Sequence, residues 1–290
     1  MRLAFLGTPE AAVVVLDALL DAGHDVAVVV TRADRRRGRG PELTPSPVAR
    51  AARERGLAVV HRVADIDTYE VERGVVVAYG AMISAAVLER TAMLNVHFSL
   101  LPRWRGAAPV ERAILAGDAV TGVSIMTLEP TLDTGPVHLE RRIALDAKTL
   151  SEVTGELAHV GAEALVEVLG SSDLLASPTP QTGSVTYAEK ITSETLHLTP
   201  SMSGELLERT VRLERAYTLV NGRRVAVSRA HVVSAPGVAA STVARLGDEV
   251  VAVGERAALS LDEVRPEGSR TMTGRAWWAG VRASEPPRWM

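Results

Sequence analysis

No cysteine occurs in the 290 residues, which excludes disulfide stapling, thiolate catalysis and thiolate metal sites. A reducing cytosol fits that absence. Lysine is almost missing as well: Lys148 and Lys190 are the only two among 32 basic residues. We read this Arg-, Ala- and Val-heavy usage as composition bias that carries no mechanism. No G-x-G-x-x-G set is present, so nothing supplies the tight turn, close phosphate approach and helix packing of a dinucleotide site. A nicotinamide or flavin enzyme is therefore not expected. His, Asp and Glu form no H-x-x-x-H-like ligand cluster, and no metal is expected. The first 31 residues hold no apolar run long enough to span a membrane. Met1-Arg2-Leu3 leads straight into a strand-like Leu3–Leu6, so neither a signal peptide nor an anchor is expected.

With 47% apolar residues the chain can bury one large core, or a medium and a small one, and two domains are expected. The net charge of −3 argues against a protein that coats nucleic acid. Charge is uneven, however. Residues 201–290 carry 13 Arg against 10 Asp and Glu, a net of +3, which leaves −6 for residues 1–200 and points to a polyanion near the C-terminal part.

The first 145 residues alternate short apolar runs with helix-like stretches, the pattern of β-α units feeding a mostly parallel sheet. Expected strands are 2–6, 26–30, 57–60, 75–78 and 94–97. Expected helices are 11–20, 47–55 and 110–116. Thr149 with Glu152 forms a capping box before the apolar positions Leu150, Val153, Leu157, Val160, Leu165 and Val168, and Gly170 is a natural stop. Residues 170–185 are rich in Ser, Pro, Thr and Gly and read as a surface linker. After a short helix at 204–213, brief β-rich runs at 224–227, 231–233, 241–246, 250–253 and 258–261 read as a small β-barrel or curled sheet. The expected fold class is thus an α/β N-terminal Rossmann-like domain followed by a small OB-like β-barrel. Its divisions are residues 1–185, a linker at 186–203, and 204–290.

Three segments could carry chemistry beside the first strand-to-helix turn, Gly7-Thr8-Pro9. Arg35-Arg36-Arg37-Gly38-Arg39-Gly40 is a strongly positive tip that could contact phosphates, or simply be solvated. In Asn95-Val96-His97, strand alternation puts an amide and an imidazole on one face, where both can converge on one ligand atom; singly, each could be an ordinary core polar residue. Asp133, in Glu129-Pro130-Thr131-Leu132-Asp133-Thr134-Gly135-Pro136, could stabilise its turn or reach back to His97.

At these residues the chain resembles the methionyl-tRNA formyltransferase family over nearly its whole length. The most specific piece is Asn95-Val96-His97 with Ser99-Leu100-Leu101-Pro102-Arg103-Trp104-Arg105-Gly106-Ala107-Ala108-Pro109. Supporting pieces, in order, are Gly7-Thr8-Pro9, Gly38-Arg39-Gly40 with Pro45-Ser46-Pro47-Val48, Val76–Gly80, Leu132–Gly135, Tyr187–Lys190 and Val264–Gly268. The resemblance implies that Asn95, His97 and Asp133 are a catalytic trio. Ser99, Leu100, Leu101 and Pro102, with Tyr79 and Gly80, would form the binding strip for the formyl donor 10-formyltetrahydrofolate. Arg36, Arg37 and Arg39 would approach the tRNA acceptor end, and the C-terminal domain would face the tRNA body. It further implies a cytoplasmic monomer acting on methionyl initiator tRNA in translation initiation, with no membrane partner. The chain departs from the family pattern at Phe98, at Pro41-Glu42, at Leu213–Thr218 and in a short stretch between Arg62 and Val75. Other readings are a formyltransferase for a small amine such as an amino sugar, an idle tRNA-binding paralogue, and a hydrolase releasing formate from the folate.

Overall fold

The structure is a computed structural model and describes residues 1–36, 43–281 and 286–290. The first 190 residues run β1 (Arg2–Gly7), α1 (Glu10–Asp21), β2 (Asp25–Val30), β3 (Arg35–Arg36), β4 (Leu43–Thr44), α2 (Pro47–Glu54) and β5 (Val59–Val60). They continue through β6 (Arg73–Val77), α3 (Ala85–Arg90), β7 (Met93–His97), β8 (Arg105–Gly106), α4 (Pro109–Ala116), β9 (Val120–Thr127), β10 (Val137–Ala144), α5 (Leu150–Gly170), α6 (Ser172–Ala176) and β11 (Tyr187–Ala188). The chain divides into two compact units. One comprises residues 1–110, 120–144 and 153–189; the other comprises 111–119, 145–152 and 190–290. Among the described residues no helix is long and apolar enough to cross a membrane.

The first unit is built on a seven-stranded sheet in the order β10-β9-β7-β6-β1-β2-β5. The strands from β5 to β7 run parallel, while β9 pairs antiparallel with both β7 and β10. Val- and Leu-rich runs such as Leu3–Leu6 and Val28–Val30 are buried at every position, as strands covered on both faces must be. Helix α1 buries Ala12, Val15, Leu16 and Leu19, one stripe at helical spacing. Helix α2 opens with Pro47 at its first position and with Ser46, whose hydroxyl accepts the Ala49 N–H. Helix α5 opens on the expected capping box, with Thr149 N–H donating to Glu152 Oε2 at 2.7 Å. It lies close on the sheet at Gly161, where a Cβ would come within 2.8 Å of Val96 Cγ1.

The hairpin β9–β10 has no counterpart among the expected strands. Val120–Thr127 is buried at six of its eight positions, and Arg141 and Arg142 interrupt the apolar pattern of Val137–Ala144, so neither shows a period-2 signal. The loop that joins these two strands carries Asp133.

The C-terminal part contains α7 (Gly204–Val211), β12 (Tyr217–Val220), β13 (Arg223–Val233), β14 (Thr242–Leu246), β15 (Glu249–Val253), β16 (Ala258–Pro266), β17 (Met272–Thr273) and α8 (Gly274–Ala279). The sheet is antiparallel in the order β12-β13-β16-β15-β14, with β17 on β16. The expected barrel is not closed: β12 and β14 are the ends of this order, and no strand among the described residues joins them. Instead the terminal residues bridge to both, Val220 with Trp289 and Thr242 with Arg288. The two runs expected at 224–227 and 231–233 are one strand, β13. Register shifts around Arg229 turn its inside-outside alternation over, which is why it reads as two pieces.

Candidate active site

In an open α/β sheet the carboxyl ends of parallel strands are where loops converge on ligands. Here β1 ends at Gly7, β6 at Val77 and β7 at His97, with Gly7 in register with Val77. Thr8 and Tyr79 follow the first two strands, and the Thr8 hydroxyl donates to the Tyr79 carbonyl at 2.9 Å. Tyr79 is buried, which pushes its hydroxyl pKa upward against the opposing charge of Arg32. Gly80 takes a positive φ of 78°.

Asn95 and His97 lie at the end of β7, 9% and 6% exposed, in register with Met126 and Ser124 of β9. The structure brings Asp133 to His97: its Oδ2 stands 3.8 Å from His97 Nδ1, and the residue is 8% exposed. That separation is an electrostatic approach rather than a hydrogen bond. The hydrogen bonds go elsewhere. His97 Nε2 lies 3.0 Å from the Trp104 carbonyl, an acceptor only, which assigns a proton to Nε2. Asp133 Oδ2 accepts the Gly106 N–H at 2.8 Å. Nδ1 is thus the imidazole nitrogen left for other chemistry, with a carboxylate close by.

The loop 98–108 makes this geometry. Ser99 is fully buried and its hydroxyl donates to the Arg103 carbonyl at 2.6 Å. Ser124 Oγ donates to the Ser99 carbonyl at 2.7 Å and accepts the Leu101 N–H at 3.2 Å. Leu101 and Pro102 are buried and Leu100 half-buried, so this strip turns apolar side chains inward. Trp104 and Asp133 both adopt left-handed backbone, φ 62° and 50°, and Gly106 has φ 128°. A Cβ on Gly106 would come 2.7 Å from the Ala188 carbonyl, because β11 pairs parallel with β8 at that point.

The segment expected to be a surface linker packs on this loop. Trp104 N–H donates to Thr186 Oγ1 at 2.9 Å, and Gln181 bonds to the Asp133 and Gly135 carbonyls. No motif signals Gln181 or Thr186, and the Trp104 carbonyl and Gly106 N–H are main-chain groups without any side-chain signature. Of the arginines singled out in the loop, Arg36 lies in β3, paired with Leu43 of β4. Arg37 and Arg39 lie outside the described residues. Among the described residues no group of three or more His, Asp or Glu side chains could hold a metal ion.

An imidazole and a carboxylate meet at the sheet's carboxyl edge, with the Asn95 amide two residues before the imidazole on the same strand, and all three are close to buried, an arrangement compatible with acyl-type transfer. The chain matches the family model described as formyl transferase over residues 1–169, and that for the formyl transferase C-terminal domain over residues 191–282. It belongs to the formyl transferase family and is a formyl-transferring enzyme. It is 42% identical to the methionyl-tRNA formyltransferase of Rhizorhabdus wittichii, over 99% of this chain and 100% of that one. Identity to the methionyl-tRNA formyltransferase of Jannaschia sp. is 38%, over 97% of each. The fold is also that of HypX from Aquifex aeolicus, solved in complex with tetrahydrofolic acid: TM-score 0.69, 16% identity, all of this chain and 51% of that one.

Proposed function

We propose that this enzyme transfers the formyl group of 10-formyltetrahydrofolate to the α-amine of methionyl initiator tRNA, in the cytoplasm and as a monomer. The observation that carries the reading is the approach of Asp133 to His97, with Asn95 on the same strand, in a chain that is similar over 99% of its length to a methionyl-tRNA formyltransferase. In the reaction the neutral amine attacks the formyl carbon, a tetrahedral oxyanion forms, the bond to the folate nitrogen breaks, and that nitrogen takes up a proton as the amine loses one. Asn95 and His97 Nδ1–H are the donors to the oxyanion, since Nε2 is committed to Trp104. The Asp133 carboxylate, 3.8 Å from Nδ1, sets a negative charge beside that donor. Losing one oxyanion donor costs on the order of 3–4 kcal/mol of transition-state stabilisation.

The strip Ser99–Pro102, with Tyr79 and Gly80, is the site for the folate. Arg36, Arg37 and Arg39 serve the acceptor end of the tRNA. We assign catalysis to residues 1–185, a linking role to 186–203, and contact with the tRNA body to 204–290.

The test is turnover with 10-formyltetrahydrofolate and methionylated initiator tRNA, against uncharged tRNA and free methionine. Formylation of the charged tRNA alone supports the reading. Turnover with free methionine or a small amine in place of tRNA refutes the acceptor assignment.

A further inference from the structure

Gln181 has every hydrogen-bonding position of its carboxamide occupied. Nε2 donates to the Asp133 carbonyl at 2.9 Å and the Gly135 carbonyl at 2.8 Å. Oε1 accepts from Arg105 Nε at 3.1 Å and from Arg105 Nη2 at 2.6 Å. These partners fix which way the amide points. Turned over, its NH2 would face a guanidinium and its oxygen two carbonyls, an arrangement with no hydrogen bonds at all.

Arg105 adjoins Gly106, whose N–H holds Asp133 Oδ2. The contacts therefore close a ring: Asp133 carbonyl to Gln181, Gln181 to Arg105, Arg105 through the chain to Gly106, and Gly106 back to the Asp133 carboxylate. Asp133 is held at both ends, main chain and side chain, from one strand-loop unit. Asp133 sits in the left-handed region at φ 50°, and these contacts fix both its main chain and its carboxylate there. Gly135, in the same loop, admits no side chain, since a Cβ there would fall 1.9 Å from the Thr127 carbonyl.

We propose that Gln181 is a positioning residue for formyl transfer: by donating to the Asp133 and Gly135 carbonyls it fixes the Asp133 carboxylate against His97. The proposal rests on the reading of Asn95, His97 and Asp133 as the formyl-transfer site. Gln181 itself touches none of the reacting atoms. It acts through the position of Asp133, and misplacement by about 1 Å can cost about a hundredfold in rate.

The experiment uses the full chain with 10-formyltetrahydrofolate and methionyl initiator tRNA. Wild-type turnover comes first: its absence overturns the functional reading and the role of Gln181 with it, whereas wild-type turnover with unaffected variants overturns the role of Gln181 alone. With wild-type turnover in hand, Gln181→Glu and Gln181→Met are compared as kcat and KM per folded molecule, alongside thermal melts. Glu keeps the shape and the acceptor for Arg105 but loses both donors; Met keeps only the length. Positioning through the donors predicts that kcat falls about a hundredfold in both variants while KM for either substrate changes by less than about threefold. Wild-type kcat in Gln181→Glu overturns the proposal, because the Arg105 contact alone would then suffice. A loss confined to KM, or one that only tracks the unfolded fraction, overturns it as well.

Discussion

Replacing Trp289 with Ala opens the C-terminal sheet at the place where its two edges meet the end of the chain. Trp289 is 1% exposed and is the largest fully buried side chain. It packs in one core with Leu198, Val220, Val243 and Leu259. Its indole N–H is placed between Thr218 Oγ1 at 2.5 Å and the Leu198 carbonyl at 3.3 Å. Its main-chain N–H donates to Ser241 at 2.9 Å, while Val243 donates to Pro287 at 2.8 Å and Met290 to Leu219 at 2.9 Å, so the terminal residues tie to both edges of the sheet. Burying a Trp removes roughly 150–250 Å² from water, about 4–6 kcal/mol at ~25 cal/mol/Å². Measured Trp→Ala losses in cores are about 3–5 kcal/mol, and we expect that range here. Trp289→Phe keeps most of the volume and loses only the N–H. Since the Thr218 hydroxyl still donates to the Leu198 carbonyl at 2.9 Å, no acceptor is orphaned, and we expect about 1–2 kcal/mol. Urea unfolding of the full chain followed by circular dichroism measures both; with m of about 2 kcal/mol/M the Ala variant's midpoint falls by roughly 2 M. A fall of under about 0.3 M, or equal losses for Phe and Ala, would refute the assignment of this core to the indole.

Three further outcomes are expected. His97→Ala, Asp133→Ala and Asn95→Ala each still fold, with melts lowered where the Trp104 carbonyl or the Gly106 N–H loses its partner, while kcat falls about 10²–10³-fold, and near-normal turnover in any of them removes that residue from the site. Gly106→Ala forces a Cβ to within 2.7 Å of the Ala188 carbonyl at φ 128° and displaces the N–H that holds Asp133. It costs about 1–3 kcal/mol of stability and, in turnover assays, more activity than the melt alone accounts for. At His231 the hydrogen bond to Asp262 Oδ2 at 3.0 Å raises the imidazole pKa, helped by the charges of Asp262, Glu249 and Glu208 and opposed by partial burial. A raised folded pKa gives stability that is full below the unfolded value of about 6.5 and is lost as pH rises through the folded one. Wild type therefore melts above Asp262→Asn at acidic pH, and the gap narrows as pH rises. The effect is small because His231 is half-exposed, and a gap that widens with pH contradicts it.

Several elements were legible because a local pattern and a tertiary role coincide. Leu3–Leu6 and Val26–Val30 are continuous apolar runs and become central parallel strands, and Thr149 with Glu152 caps α5 through contacts three residues apart. Period-2 alternation likewise puts Asn95 and His97 on one face of β7 before any partner is known. Asp133 could be named only as an acid in a turn. Its placement depends on β9 and β10, neither of which shows the alternation of a half-buried strand.

The sequence by itself determined the order of β and α elements, the apolar faces, the caps, and which side chains could perform acyl-transfer chemistry, because these follow from residue type and spacing of a few positions. The tertiary structure alone decided that a Ser- and Pro-containing stretch clamps the loops around His97, through Gln181 on Asp133, 48 residues away, and Thr186 on Trp104, 82 residues away. It also decided that the last residues bind both ends of the C-terminal sheet. In each case at least one partner is a main-chain carbonyl or N–H without a side-chain signature, so only the three-dimensional path of the chain selects which of them meet.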